Sequence, residues 1–143
     1  MKRKQISLVV IGLSIGIVVA AALRWSIIYA HSEGLHADSK GDYVSARSIW
    51  KISANLGYTP SKATLGVLYL TGKGGTSDPK LANAYLLGAA EDGYVDAQSV
   101  YGMALYAGAT LPIDRDRGLY WLRKAAEQGD RGALRFLSLV GSE

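Results

Sequence analysis

A sixteen-residue stretch of this chain returns after a fixed interval, and that periodicity limits what the chain can fold into. Asp78 to Gly93 reads DPKLANAYLLGAAEDG, and Asp114 to Gly129 reads DRDRGLYWLRKAAEQG, offset by 36 residues with no gap. Gly57, Gly93 and Gly129 fall in the same register, as do Ala54, Ala90 and Ala126. Gly66 maps to Gly102, Gly72 to Gly108 and Ala97 to Ala133. A period between 20 and 50 residues marks a stack of supersecondary units. The matches sit at small and chain-breaking positions, where helix packing is most restrictive.

Start and stop signals divide the repeat into helices. Asp42 precedes a helix from Tyr43 that closes at Gly57, and Pro60 opens the next. Asp78-Pro79 starts a helix that ends at Gly93; Val95 to Ala107, Asp114 to Gln128 and Asp130 to about Val140 follow. No strand alternation is present, so an all-α domain is expected. Gly66 falls mid-helix, where glycine costs up to ~1 kcal/mol relative to alanine. Its return as Gly102 predicts that another helix crosses closely there.

The N-terminus is of a different kind. Lys2, Arg3 and Lys4 precede 18 uncharged residues, Ile6 to Leu23. As a helix these would extend ~27 Å, just enough for a hydrocarbon core. Arg24 and Trp25 supply an interfacial cation and aromatic, and Ile27 to Tyr29 extend the apolar stretch. The expected organisation is a basic cytoplasmic end over 1–5, a transmembrane signal anchor over 6–28 and a repeat domain over 30–143. The positive flank keeps the N-terminus in the cytoplasm and places the repeats beyond the membrane, in the periplasm if the cell is bacterial. The alternative is a cleaved secretory signal with Ala20-Ala21-Ala22 as the cleavage site, although the run exceeds the ~7–15 residues of a usual signal core. Gly12, Gly16 and Ala20 lie four apart on one helix face, a spacing that lets membrane helices pair and would support a homo-oligomer.

Charge and cysteine content exclude several classes. The net charge is +4, but Lys2, Arg3, Lys4 and Arg24 account for it and leave 12 basic against 12 acidic residues. A nucleic-acid binder carries a clustered basic face, and none is visible. With no cysteine there is no disulfide, thiolate metal site or cysteine nucleophile.

Catalytic and ligand signals are weak. His31, Glu33 and His36 form the one metal-like grouping, but a spacing of five turns the two rings apart on a helix, so satisfied or solvated histidines are the simpler reading. The loop Gly72 to Asp78 is glycine-rich before a helix. It lacks the Gly-Lys-Ser/Thr ending of a phosphate loop and a preceding strand. Asp114 and Asp116 are carboxylates near each other, yet Asp114 reads as a helix cap. From Gly41 onward the chain contains no histidine. No enzyme, cofactor or metal is expected.

Leu65-Gly66-Val67-Leu68-Tyr69-Leu70-Thr71-Gly72-Lys73-Gly74, followed by Asp78, Ala82, Ala89-Ala90, Gly93 and Ala97, resembles a Sel-1-like repeat, a relative of the tetratricopeptide repeat. The unit from Tyr101-Gly102 to Ala133 is similar with departures: Tyr101 for leucine, Leu105 for tyrosine, Thr110 for the second glycine and Gly118 for alanine. Gly41-Asp42-Tyr43 with Ala46, Trp50, Ala54 and Gly57 resembles the half-repeat that often begins such domains. The resemblance implies a short α/α superhelical solenoid that binds other proteins, mostly as scaffold or adaptor and without enzymatic activity.

On this reading the candidate partner-binding residues are Tyr58 and Tyr94, at equivalent turns, with Lys62, Gln98 and Tyr101 facing a groove. Aromatic side chains are favoured anchors. The expected function is a membrane-anchored protein-interaction adaptor, or an accessory subunit of an envelope or inner-membrane complex. The alternative is a secreted helical-repeat binding protein released by signal-peptide cleavage.

Overall fold

The computed structural model describes the backbone of residues 2–141 and the side chains of residues 16–141. Seven helices are described and no strand: α1 (Lys2–Ser39), α2 (Tyr43–Asn55), α3 (Thr59–Thr71), α4 (Pro79–Glu91), α5 (Val95–Ala107), α6 (Arg115–Glu127) and α7 (Arg131–Val140). Each packs on its neighbours in sequence, and α3 also packs directly on α5. The second helices, α2, α4 and α6, do not approach one another as closely. The first helices therefore line the inner side of the stack.

The boundaries follow from local chemistry. Asp42, Asp78, Asp114 and Asp130 each accept a backbone N–H from the first turn of the helix they precede, satisfying donors a helix leaves free. Between the repeats, Gly57, Gly93 and Gly129 have φ of 86°, 85° and 87°. Only glycine takes that left-handed conformation without strain, so the sequence register marks three equivalent turns.

Packing repeats with the same period. Gly66 lies against Leu86 and Gly102 against Leu122, and a Cβ on either glycine would come within 2.8 Å of its leucine. The expected close crossing is present in both repeats. A third copy occurs where the sequence register does not show it. Gly34 on α1 is buried against the indole of Trp50, which stands 36 residues before Leu86. The loop between α1 and α2 has three residues, 40–42, whereas the loops 72–78 and 108–114 have seven. Those four missing residues shift Gly34 out of the 36-residue register. Residues 27–39 of α1 thus form the first helix of a full repeat, of the same 13-residue length as α2 to α6. The expected opening half-repeat is corrected accordingly.

One core cluster runs along the stack through Trp50, Leu65, Leu86, Tyr101, Leu105 and Leu111, and a second, smaller cluster is formed by Leu122, Ala125 and Ala133. Ala89, Ala90 and Ala125 are buried at the helix contacts, where small side chains allow the helices to approach.

Residues 16–26 of α1 are all exposed, including Ile17, Val18, Leu23 and Trp25. Among the described residues no helix is long and apolar enough to cross a membrane. Of the span expected over 6–28, the side chains of residues 6–15 lie outside the described ones, Gly12 among them. Gly16 and Ala20 are exposed, and nothing approaches the position of a Gly16 Cβ.

Candidate functional site

On the inner side, α3 and α5 bound an open cleft of about 190 Å³. Pro60, Ala63, Thr64 and Val67 form one wall, Tyr94, Ala97 and Val100 the other, and Leu86 the floor. Asp96 is the sole charged residue of the lining. The helix spacing set by Gly66 on Leu86 creates the floor. The turn at Gly93 carries Tyr94 to the edge. Burial raises the Tyr94 hydroxyl pKa, and the nearby Asp96 carboxylate adds to the effect. Small-molecule pockets usually hold ~300–1,000 Å³. This cleft is smaller and mostly apolar.

A second cleft, of about 480 Å³, lies between α1 and the α2–α3 turn. Tyr58 lines it, at the repeat position Tyr94 holds in the first cleft. The two tyrosines singled out from the sequence therefore each border a cleft.

The other candidates are placed differently. Tyr101 is wholly buried, donates its hydroxyl hydrogen to Asn83 Oδ1 at 2.7 Å and packs against Trp121. Gln98 is 4% exposed; its amide donates to the Ala90 carbonyl at 3.1 Å and its oxygen accepts from Gln128 Nε2 at 2.7 Å. Neither side chain is on a free surface, and both are corrected from groove to core. Both ends of the Gln98 amide are satisfied inside the stack, which makes its burial affordable in hydrogen-bond terms. Lys62 is partly exposed and paired with Asp92 at 2.8 Å. That hydrogen bond, with one from Thr59, holds the Asp92 carboxyl below its usual range.

One buried cluster escaped the sequence reading. His31 Nδ1 lies 2.9 Å from Ser61 Oγ, which is 2.7 Å from Ser53 Oγ, itself 3.2 Å from the Trp50 carbonyl. Trp50 Nε1 donates back to the His31 carbonyl at 3.1 Å. Burial lowers the His31 pKa. Ser53 and Ser61 are completely buried, so this serine–histidine contact is closed to a substrate and ties α1 to α2 and α3. A signal for it exists: position 53 maps to Ala89 and Ala125, and 61 to Ala97 and Ala133. The first interface alone has serine at both.

No three of the His, Asp and Glu residues among the described ones form a metal-holding group. His31 is engaged with Ser61, and Asp114 caps α6. The glycine-rich loop is used in packing: Gly74 lies against the Tyr43 backbone, and Arg47 donates to the Thr76 carbonyl while stacking 3.9 Å from the Tyr69 ring centre.

Comparison with known proteins supports the repeat architecture. The Sel1 repeat model matches residues 19–58, 63–94 and 95–130. The first match takes in the 27–39 segment of α1 and begins inside the expected membrane span. A Sel1 repeat protein from Oxalobacter formigenes is similar in structure, with a TM-score of 0.70 at 25% identity over 78% of this chain. A protective antigen present in uropathogenic Escherichia coli strains, displaying an SLR fold, gives 0.73 at 28% over 85%. The chain spans 47% and 27% of those two proteins' lengths. Comparison with curated protein sequences finds no match. The three family-model matches cover most of the chain, and their boundaries follow the three helix pairs: this chain belongs to the Sel1 repeat family.

Proposed function

We propose that the chain is a membrane-anchored interaction protein, an adaptor or accessory subunit of an envelope or inner-membrane complex, that holds a protein partner at the α3/α5 cleft. The observation that carries this reading is the cleft itself: apolar, open, on the inner side and too small for a whole cofactor. Tyr94 offers an aromatic edge, and Asp96 favours a partner segment with a basic residue beside its apolar anchor. A non-enzymatic role fits the closed Ser61 and the use of the other polar groups in caps and interhelical bonds.

The anchor reading is supported by an apolar run that continues as one helix into the first repeat. The N-terminus is then cytoplasmic and the repeats lie on the far side of a single membrane pass. Release by cleavage near Ala22 is the second reading. The repeat helix begins at residue 27, so cleavage there would leave all three helix pairs intact.

Photo-cross-linking tests the partner site. A benzoylphenylalanine at position 64 or 100 lies in the cleft, whereas one at 123 lies on the exposed outer helix α6. One discrete protein adduct from 64 and 100, absent from 123, is expected. Equal, diffuse labelling from all three would remove the cleft as the binding site.

A further inference from the structure

We propose that the cleft between α1 and the α2–α3 turn seats a phospholipid of the bilayer surface, with its phosphate at Arg24, so that the Leu56 edge of the repeats rests on the membrane. The proposal rests on the anchored reading and adds to it where the body sits and which residues meet lipid.

The topology brings the parts together. Trp50 packs on Gly34 and α2 runs back along α1, so the C-terminal end of α2 lies beside residues 24–28. That is the end from which the apolar helix leaves the body. Exposed apolar side chains gather there: Trp25 at 74%, Ile52 at 63% and Leu56 at 62%. The cleft walls are Ile27, Ile28, Leu56 and the Tyr58 ring, and Arg24 is its one charge. Arg24 has no hydrogen bond or ion pair among the described residues. A mainly apolar lining with one guanidinium matches an amphiphile with a phosphate and an acyl chain. Guanidinium is a planar, permanently charged donor suited to phosphate oxygens. Long cations and aromatics such as Arg24 and Trp25 settle at the headgroup level, which places the adjoining turn at the same depth.

The chain has no cysteine, so single cysteines can be labelled cleanly. Nitroxides would be placed at Ile17→Cys, Val44→Cys and Leu56→Cys in the full chain in phospholipid nanodiscs. All three native side chains are exposed. Positions 44 and 56 lie near opposite ends of α2, ~18 Å apart along its axis. Collision with oxygen reports lipid, and collision with a water-soluble nickel complex reports water. The proposal expects an oxygen-to-nickel ratio at 56 severalfold above that at 44, falling towards it when Arg24→Glu is added. Lipid exposure at 17 with water exposure at 56 would overturn the docking and leave the anchor standing. Shielding of 56 from both reagents would overturn it in favour of a protein in the cleft. Water exposure at 17 would remove the anchor and the docking together.

Discussion

Gly102 and Gly118 approach so closely that a Cβ on either would stand 2.8 Å from the other's carbonyl oxygen. Backbone therefore meets backbone where α5 crosses α6. In the preceding repeat Ala82 stands at the position of Gly118, and Gly66 meets the Leu86 side chain instead. The departure from alanine at 118 is what permits the tighter crossing.

Alanine at either glycine overpacks that contact. Gly102→Ala and Gly118→Ala are each expected to lower stability by ~1–3 kcal/mol, measured by urea unfolding. Gly66→Ala should cost less than Gly102→Ala, because the two atoms nearest its added methyl belong to the Leu86 side chain, whereas a backbone carbonyl oxygen stands nearest the methyl at 102.

Residues 27–39 belong to the repeats. A chain starting at residue 27 should unfold cooperatively with a melting temperature close to that of the full-length chain. A chain starting at 41 uncovers Trp50 and the two buried serines. It should behave at least as poorly as Trp50→Ala, for which a loss of ~3–5 kcal/mol is expected. Calorimetry on the two shortened chains, the full-length chain and Trp50→Ala decides the point.

The His31 cluster makes stability depend on pH. Burial lowers the His31 pKa below its ordinary 6.5, so the unfolded chain binds the proton more readily. The stabilisation is complete above about pH 6.5 and declines as the pH falls towards the depressed folded value. Tyr58 and Trp50 pack on the ring and bring no opposite charge to it. Unfolding midpoints recorded between pH 4.5 and 8 should show this slope, and His31→Gln should flatten it. Asp92, whose pKa is depressed by Lys62 and Thr59, adds a separate loss as the pH falls below about 3.8 towards its lower folded value.

Asp130 joins two helices as well as capping one. Its Oδ1 accepts from the Ala133 N–H and from Ser99 Oγ on α5. Asp130→Ala should cost ~1–2 kcal/mol, near the upper part of the range for a cap. Asp78→Ala, whose carboxylate receives N–H groups of its own helix alone, should cost less. Paired denaturation curves test the order.

The sequence was legible where a residue had one physical reason to be there. Gly57, Gly93 and Gly129 are the left-handed turns, and the repeated aspartates are caps. Gly34 was hidden because the α1–α2 loop is four residues shorter than its counterparts, so its partner Trp50 kept the period while the glycine lost it. The clefts were half legible: Tyr58 and Tyr94 border them, but Gln98 and Tyr101 do not. Lys62, the equivalent of Gln98, is partly exposed and paired with Asp92, and that polar character suggested a groove. In the next repeat the glutamine amide finds both its partners inside the stack. Tyr101 fills the layer where its hydroxyl reaches Asn83. These outcomes depend on three-dimensional hydrogen-bond partners that spacing along the chain does not specify.

In the proposed role an intact N-terminal helix holds this repeat domain at a membrane beside a protein partner. Purification of the full-length chain from its own membranes in gentle detergent, with intact-mass measurement and identification of co-purifying chains, tests both parts at once. The expected result is a mass that retains Met1 to Lys4 and one stoichiometric protein partner that is lost with Thr64→Trp. A soluble chain beginning near Leu23, with no partner, would contradict it.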